Sequence, residues 1–328
     1  MNYLKSTALV CVAVCAASLL FSCGRTQTGG YAAGTTVIAC DASFRNVMEQ
    51  EIQVFEYKYK GSNVLDLYVD EDAAIDSLLN LDNNVRSACV TRPLTKQEIS
   101  YLNSHKRSVN QEAIAIDAVA LIVNPANPME YIDYQDLIDV LTGKYTTWDK
   151  ISPAASKMGK IMVVFDHQGS STTRYMRDSL LNGSPFGPNV YAQKTPKEVF
   201  EAVARTKNAI GIIGASWLTS DMSGRELSET EIARLSDVND TTAMGEFNTD
   251  VRVLAVQPKD KVDAYLPNQY NIYTGNYPFY RQVYLISTSA PNTVGHSFFT
   301  FVTSAVGQKI ILSTGICPKI ISPQFVEL

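Results

Sequence analysis

Histidine is scarce: the chain has three in 328 residues, at positions 105, 167 and 296. No two of them have the spacing of a zinc or haem site, so no metal and no cofactor is expected. A Gly-x-Ser-x-Gly elbow is missing as well, and the histidine nearest Ser170 and Ser171 is His167, inside the same loop. A serine hydrolase is therefore not expected, and the chain reads as a protein that is not an enzyme. Cysteine is sparse and unevenly used. Of six, Cys11 and Cys15 fall in an apolar leader and Cys23 follows it, which leaves Cys40, Cys89 and Cys317. An odd count builds no disulfide framework, and Cys40 and Cys89 are either buried apolar residues in strands or a single bridge. There is no surplus of base, with 28 Lys and Arg against 33 Asp and Glu and a formal net charge of -5. A nucleic-acid partner is not expected. No apolar run reaches the roughly 20 residues that span a bilayer comfortably. The balance of 45% hydrophobic and 19% charged residues excludes a disordered tail, a collagen-like repeat and a polytopic membrane protein.

The first residues read as a leader or, less in keeping with their length, an uncleaved helical anchor. Residues 1–22 carry one charge, Lys5, ahead of an apolar stretch over residues 8–21, the pattern of a signal peptide. The run Leu20-Phe21-Ser22-Cys23 resembles a bacterial lipobox, which implies lipidation of Cys23. Residues 23–34 are polar, rich in Gly and Thr, and read as a flexible tether. The protein is thus expected in the periplasm, lipid-anchored to the envelope without spanning a membrane. Gly24 after the cysteine is not an acidic retention residue, which leans toward the outer membrane.

From residue 35 onward apolar runs alternate with amphipathic stretches. Strands are expected over residues 35–40, 64–69 and 86–90. Helices are expected where Phe44, Met48, Ile52, Phe55 and Tyr59 recur, over residues 73–81, and over residues 95–105 with Thr95 and Glu98 as a capping box. This order argues for a parallel sheet with helices on both faces. Residues 112–124 form an apolar, β-rich stretch longer than one buried strand needs, long enough to cross between two domains. A second α/β unit follows, with a helix from Asp133 to Gly143, a strand over 161–165, helices over 172–181 and from Thr195-Pro196, and a strand over 209–214. Residues 225–248 read as a surface excursion. Strands over 251–257 and 282–287 and one helix over 297–314, stopped by Gly315, complete the chain. The spacing of Tyr277, Phe279, Tyr280 and Tyr284 fits packing on the two faces of a strand. The fold class is α/β, in two lobes with a cleft between them.

Three strand ends offer donors to an anion. The loop from Phe165 to Arg174 carries Gly169, Ser170, Ser171 and Thr172 before a helix, with Arg174 one turn in; Asp41-Ala42-Ser43-Phe44 precedes the first helix; Thr91-Arg92-Pro93 follows the third strand. Ser and Thr are also simply the residues with which helices begin, and the recurrence at three strand ends favours an anion site.

Four motifs in order, Asn124-Pro125-Ala126-Asn127-Pro128, Leu141-Thr142-Gly143-Lys144 to Trp148, Gly169-Ser170-Ser171-Thr172, and Gly307-Gln308-Lys309-Ile310-Ile311 followed by Gly315 and Pro318, carry a resemblance. The chain resembles PstS-type periplasmic substrate-binding proteins, the phosphate-capturing components of ABC importers, in their lipoprotein branch. The resemblance covers roughly residues 35 to 320. It implies a type II periplasmic-binding-protein fold, two α/β lobes joined by two crossing strands, with residues 35–115 and 284–328 as lobe I and 116–283 as lobe II. It also implies a site at Ser43, Phe44, Thr91, Arg92, Gly169, Ser170, Ser171, Thr172 and Arg174, closing over phosphate or a related oxyanion for delivery to an ABC permease.

The departures from that family are specific. Asp166 stands where well-studied members have Arg, Thr91-Arg92 where a Ser-Asp pair is common, and Val69-Asp70-Glu71-Asp72 where Gly-Ser-Ser is frequent. Asp41, Glu71, Asp72 and Asp166 become the candidate acceptors for the proton of hydrogen phosphate, or else solvated surface charges. These acids leave an alternative open, a PstS-like sensor or structural partner of a cell-envelope complex with a weakened anion site.

Overall fold

The computed structural model describes residues 33–219, 225–237 and 250–320. The leader, Cys23 and nearly all of the expected tether lie outside these residues. Among the described residues no helix is long and apolar enough to cross a membrane.

In chain order the elements are β1 (Gly34–Asp41), α1 (Arg45–Lys58), β2 (Ser62–Val69), α2 (Glu71–Leu79), β3 (Val85–Val90), α3 (Lys96–Ser104), β4 (Asn110–Val123), β5 (Tyr131–Asp133), α4 (Tyr134–Leu141) and β6 (Met162–Phe165). There follow α5 (Ser171–Tyr175), β7 (Val190–Ala192), α6 (Pro196–Arg205), β8 (Ala209–Gly214), α7 (Glu229–Ser236), β9 (Arg252–Gln257), α8 (Gln269–Tyr273), β10 (Tyr280–Ser287), α9 (Val294–Val302), α10 (Ala305–Ser313) and β11 (Cys317–Pro318). A π-helical turn, Met176–Leu180, continues α5. The Thr95–Glu98 capping box is made in both directions.

The sheet is curled and runs β2-β1-β3-β10-β4-β8-β6-β7. In the first lobe β1 pairs in parallel with both β2 and β3. Alternation along β1 buries its two faces differently. Ile38 and Cys40 join Phe44, Met48 and Phe55 in one core, and Ala39 joins Ile75, Leu78 and Leu102 in another. Helices on both faces explain why β1 and β3 carry so little polarity. In the second lobe β6 pairs in parallel with β7 and β8.

The two lobes share β4. Its first residues pair with β10 as far as Ala118, and Val119 to Val123 pair with β8. The other crossing strand, β10, runs antiparallel to both β3 and β4. A register shift between Val283 and Tyr284 marks a bulge where the ribbon turns from one lobe toward the other.

Two expectations from local pattern differ from the structure. The single helix over 297–314 is two helices, α9 and α10, because the chain folds back tightly at Thr303 and Ser304. A Cβ on Gly307 would lie 2.5 Å from the carbonyl oxygens of Phe301 and Val302, so only glycine fits that return. The excursion over 225–248 contains α7, opened by a Ser228–Glu231 capping box. The aromatic run is split, with Tyr277 and Phe279 buried and Tyr280 exposed; the Tyr277 hydroxyl donates to the Val119 carbonyl of β4 at 2.8 Å. Cys40, Cys89 and Cys317 are free and buried.

Candidate functional site

The candidate residues converge where β1, β3 and β6 end and β10 begins. Asp41 ends β1, and its Oδ1 accepts from the Ser43 N–H at 2.9 Å, which turns the Ser43 hydroxyl and the Phe44 ring inward; both residues are buried. From the second lobe, Ser170 caps α5 by accepting from the Thr173 N–H at 3.0 Å and donates to Asp166 Oδ1 at 2.6 Å. The Asp166 carboxylate also accepts from the His167 N–H at 2.9 Å. Ser170 and Asp166 thus shape the loop, and Ser171 and Thr172 present its hydroxyls.

Several contacts join the loops of the two lobes around this cluster. Ser171 Oγ lies 3.4 Å from Ser43 Oγ. Arg174 donates to Thr91 Oγ1 at 3.0 Å, forms an ion pair with Glu71 and reaches Asp72 at 3.4 Å. His167 Nε2 lies 2.7 Å from Asp70 Oδ1. Trp217 Nε1–H donates to the Ser43 carbonyl at 2.8 Å. Gly169 is packed against Asp70 so closely that a Cβ there would fall 2.0 Å from its carboxylate.

Glu71 is buried and takes the Thr91 hydroxyl at 2.7 Å and the Thr91 N–H on the same oxygen. Asp72 is 79% exposed at the rim of this contact. Asp41, Glu71 and Asp166 are all buried rather than solvated. Arg92 is not brought to the cluster: both its terminal nitrogens reach the Glu98 carboxylate, at 3.0 and 2.9 Å, and this pair, with the Thr95 N–H, holds Glu98 down at about 2.

Reasoning from the sequence missed two residues. Arg281 on β10 and Asp117 on β4 face each other in register. Arg281 donates from Nη2 and Nε to Asp117 Oδ2 at 3.0 and 3.2 Å, from Nη1 to Ser171 Oγ at 2.7 Å, and from Nη2 to Thr172 Oγ1 at 3.1 Å. Its guanidinium carbon stands 5.1 Å from the centre of the Phe44 ring. The signal was present, one acid and one base inside strands that are otherwise apolar, since isolated charges are almost never buried without a partner.

Burial pushes the Asp117 carboxyl above its ordinary range, and Arg281 pulls it partway back. Burial raises Asp166 too, opposed by the Ser170 hydroxyl. Among the buried carboxylate oxygens of the cluster, Asp41 Oδ2 has no hydrogen-bond partner, while Glu71 Oε2 meets Arg174 as an ion pair. Chemically, the cluster sets serine and threonine hydroxyls and two guanidinium groups from both lobes beside buried carboxylates. No group of His, Cys, Asp and Glu among the described residues has the arrangement of a metal site.

The remaining motif residues serve the scaffold. Asn124 Nδ2 donates to the Val203 and Ala204 carbonyls near the end of α6, the buried Trp148 donates from Nε1 to the Asn208 carbonyl, and Gln308 Oε1 receives the Lys319 and Ile320 N–H groups.

Comparison with known proteins gives a consistent picture. A family model described as a PBP superfamily domain matches residues 25–306. The phosphate-binding protein PstS of Pseudomonas aeruginosa PAO1 is 22% identical over 218 residues, 62% of this chain; the match spans 58% of that protein, less than two thirds of its length. A Clostridium perfringens protein solved by X-ray crystallography with bound phosphate superposes with a TM-score of 0.65 at 19% identity, over 87% of this chain and 99% of that one. An ABC-type phosphate transport receptor from Vibrio cholerae superposes with a TM-score of 0.60 at 19% identity, over 86% and 99% of the two chains. At these identities the structural likeness is one of fold: two α/β lobes joined through shared strands.

Proposed function

Because the chain belongs to the PBP superfamily, whose model matches residues 25–306, we propose that it is a lipid-anchored substrate-binding protein that captures phosphate or a similar tetrahedral oxyanion between its lobes. The observation that carries this reading is the convergence of Ser43 and Thr91 from one lobe with Ser171, Thr172 and Arg174 from the other. A dehydrated anion needs many fixed donors, and lobe closure is what completes the set. The phosphate in the name of the Pseudomonas relative and in the Clostridium crystal supports the same ligand class. Phe44, Gly169 and Ser170 belong to the proposed site as backbone and loop-shaping residues, and Arg92 does not, because Glu98 holds it. The moving bodies are residues 35–115 with 284–328, and 116–283. Delivery is to an ABC permease, from a lipid anchor on Cys23 that holds the protein in the periplasm at the envelope membrane, with Gly24 leaning toward the outer one.

Asp41 takes the role of proton acceptor in this reading. Its Oδ2 is buried and without a partner, while Asp166 already receives Ser170 and His167, and Glu71 receives Thr91 on one oxygen and pairs with Arg174 on the other. A carboxylate so placed accepts the proton of hydrogen phosphate and repels sulfate, which has none to give. Asp41→Asn is accordingly expected to narrow the preference for phosphate over sulfate by about 10-fold or more, measured as the ratio of the two dissociation constants. An unchanged ratio would remove Asp41 from the role.

One feature favours a second reading, a PstS-like sensor or structural partner of an envelope complex with a weakened anion site. Arg174 is paired with Glu71, and Arg281 with Asp117, so both guanidinium charges near the hydroxyls already have carboxylate partners. Calorimetric titration of the purified full chain, unfolded and refolded to strip carried-over ligand, separates the two. A dissociation constant near micromolar for phosphate, about 8 kcal/mol of binding, with sulfate far weaker, supports capture. No heat and no thermal shift with either anion, in protein shown to be folded, leaves the second reading.

A further inference from the structure

We propose that Arg281, on the crossing strand β10, is the residue that supplies the positive charge for the bound anion and aims the Ser171 and Thr172 hydroxyls at it. The inference rests on the oxyanion reading and adds to it a residue outside the three donor loops.

Arg281 is 5% exposed, so its charge is little screened by water. Arg174, the other cation of the cluster, has a side chain 24% exposed and lies toward the rim, with Asp72 as a second partner. Screening makes the buried guanidinium the stronger attraction at equal distance. Its direction matters as much as its charge. A hydroxyl oxygen that accepts from a guanidinium N–H turns its own proton away from that cation. Ser171 accepts from Arg281 at 2.7 Å and sends its O–H toward Ser43 Oγ at 3.4 Å. That second contact is long for an O–H···O bond, which prefers about 2.7–2.8 Å. An oxyanion oxygen is the better acceptor for the same proton, and it would enter from the side on which Ser43 and Phe44 stand. Thr172 accepts from the same guanidinium at 3.1 Å. Asp117 keeps the fork in place through two hydrogen bonds to one oxygen. Because both residues sit on the strands the lobes share, the charge is positioned before the lobes close.

The experiment is calorimetric titration of the full chain with inorganic phosphate at pH 6 and pH 8, after ligand stripping. The proteins compared are wild type, Arg281→Lys, the paired change Arg281→Met with Asp117→Asn, and Arg174→Gln. The paired change avoids leaving a buried carboxylate without its counter-charge, and circular dichroism establishes that each protein is folded. Wild type is expected to bind. Arg281→Lys, which keeps the charge and loses the fork, is expected to weaken binding about 10-fold, and the paired change about 100-fold or more. A charge role also predicts that the paired change costs more at pH 8, where phosphate is mainly a dianion, than at pH 6. A loss equal at both pH values would mean a merely structural role, and an affinity that falls in Arg174→Gln while the paired variant binds like wild type would assign the charge to Arg174; either overturns the inference alone. Wild type that binds neither phosphate nor sulfate overturns the oxyanion reading, and this inference with it.

Discussion

Asp117→Ala is expected to lower the stability of the folded protein by about 3–5 kcal/mol, read as a fall in the urea midpoint. The loss comes from the partner left behind. Asp117 and Arg281 are both buried and share two hydrogen bonds, and removing the acid strands a guanidinium where water does not reach. Asp117→Asn keeps an acceptor and is expected to cost less. The paired change Arg281→Met with Asp117→Asn should recover much of the loss, because replacing a buried ion pair with uncharged groups of similar volume is often close to neutral. A midpoint for Asp117→Ala within about 1 kcal/mol of wild type would mean that Arg281 finds solvent or another acceptor without Asp117.

The second large effect is a gain. Glu51 lies on the core-facing side of α1, fully buried, with neither carboxylate oxygen bonded. Burial holds its carboxyl well above the ordinary 4.5, and the nearby Cys89 adds to the rise. The folded state therefore keeps a proton that the unfolded chain gives up near its ordinary value. The sign follows directly: between those two values the unfolded state binds fewer protons, so this group lowers stability as pH rises from about 4.5, until it ionises in the folded protein too. Glu51→Met fills similar volume with apolar atoms and should gain about 2 kcal/mol or more at neutral pH, with the advantage shrinking toward pH 4. Glu51→Gln, which still buries an amide without a partner, should gain less. Urea titrations at pH 4 and pH 8 test this, and an advantage for Glu51→Met that is the same at both values would refute it.

Much of the scaffold is legible without coordinates, and the reasons are local. β1, β2 and β3 are short runs bounded by turn residues, and Thr95 with Glu98 announces α3 five residues after β3 has ended. The stretch over 112–124 is too apolar and too long for one lobe, which is why it crosses. Where local pattern failed, a tertiary constraint or a weak amphipathic signal was responsible. The return at Thr303 and Ser304 depends on the backbone contact of Gly307 with Phe301 and Val302, and no periodicity announces it. Ser228 and Glu231 do form a capping box, yet the helix they open buries only Ile232 and Leu235, too few apolar positions to stand out in a polar stretch.

The candidate site was legible at its loops and illegible at its centre. Ser43 and Ser171 are visible as helix-start hydroxyls, but that they meet across 128 positions follows only from the shared strands. Arg92 looked like an anion partner because it follows a strand end, and Glu98, one turn into the next helix, takes it instead. Asp166 is an acid where the resemblance implies an Arg, and its carboxylate holds its own loop through Ser170 and the His167 N–H.

The three free sulfurs among the described residues offer a way to time how the molecule comes apart. Cys40 and Cys89 are register partners on β1 and β3, and Cys317 lies against β4 beside Ile116 with its thiol directed to the Gln269 carbonyl. All three are buried, so a thiol reagent reaches each only during an opening of the backbone around it. Labelling of the first two therefore clocks the parting of β1 from β3, and labelling of the third clocks the release of the C-terminal strand from the shared strand. Mass spectrometry of partly labelled protein would resolve those two clocks in one sample and reveal whether the region around β1 and β3 and the end of the chain loosen together or in turn.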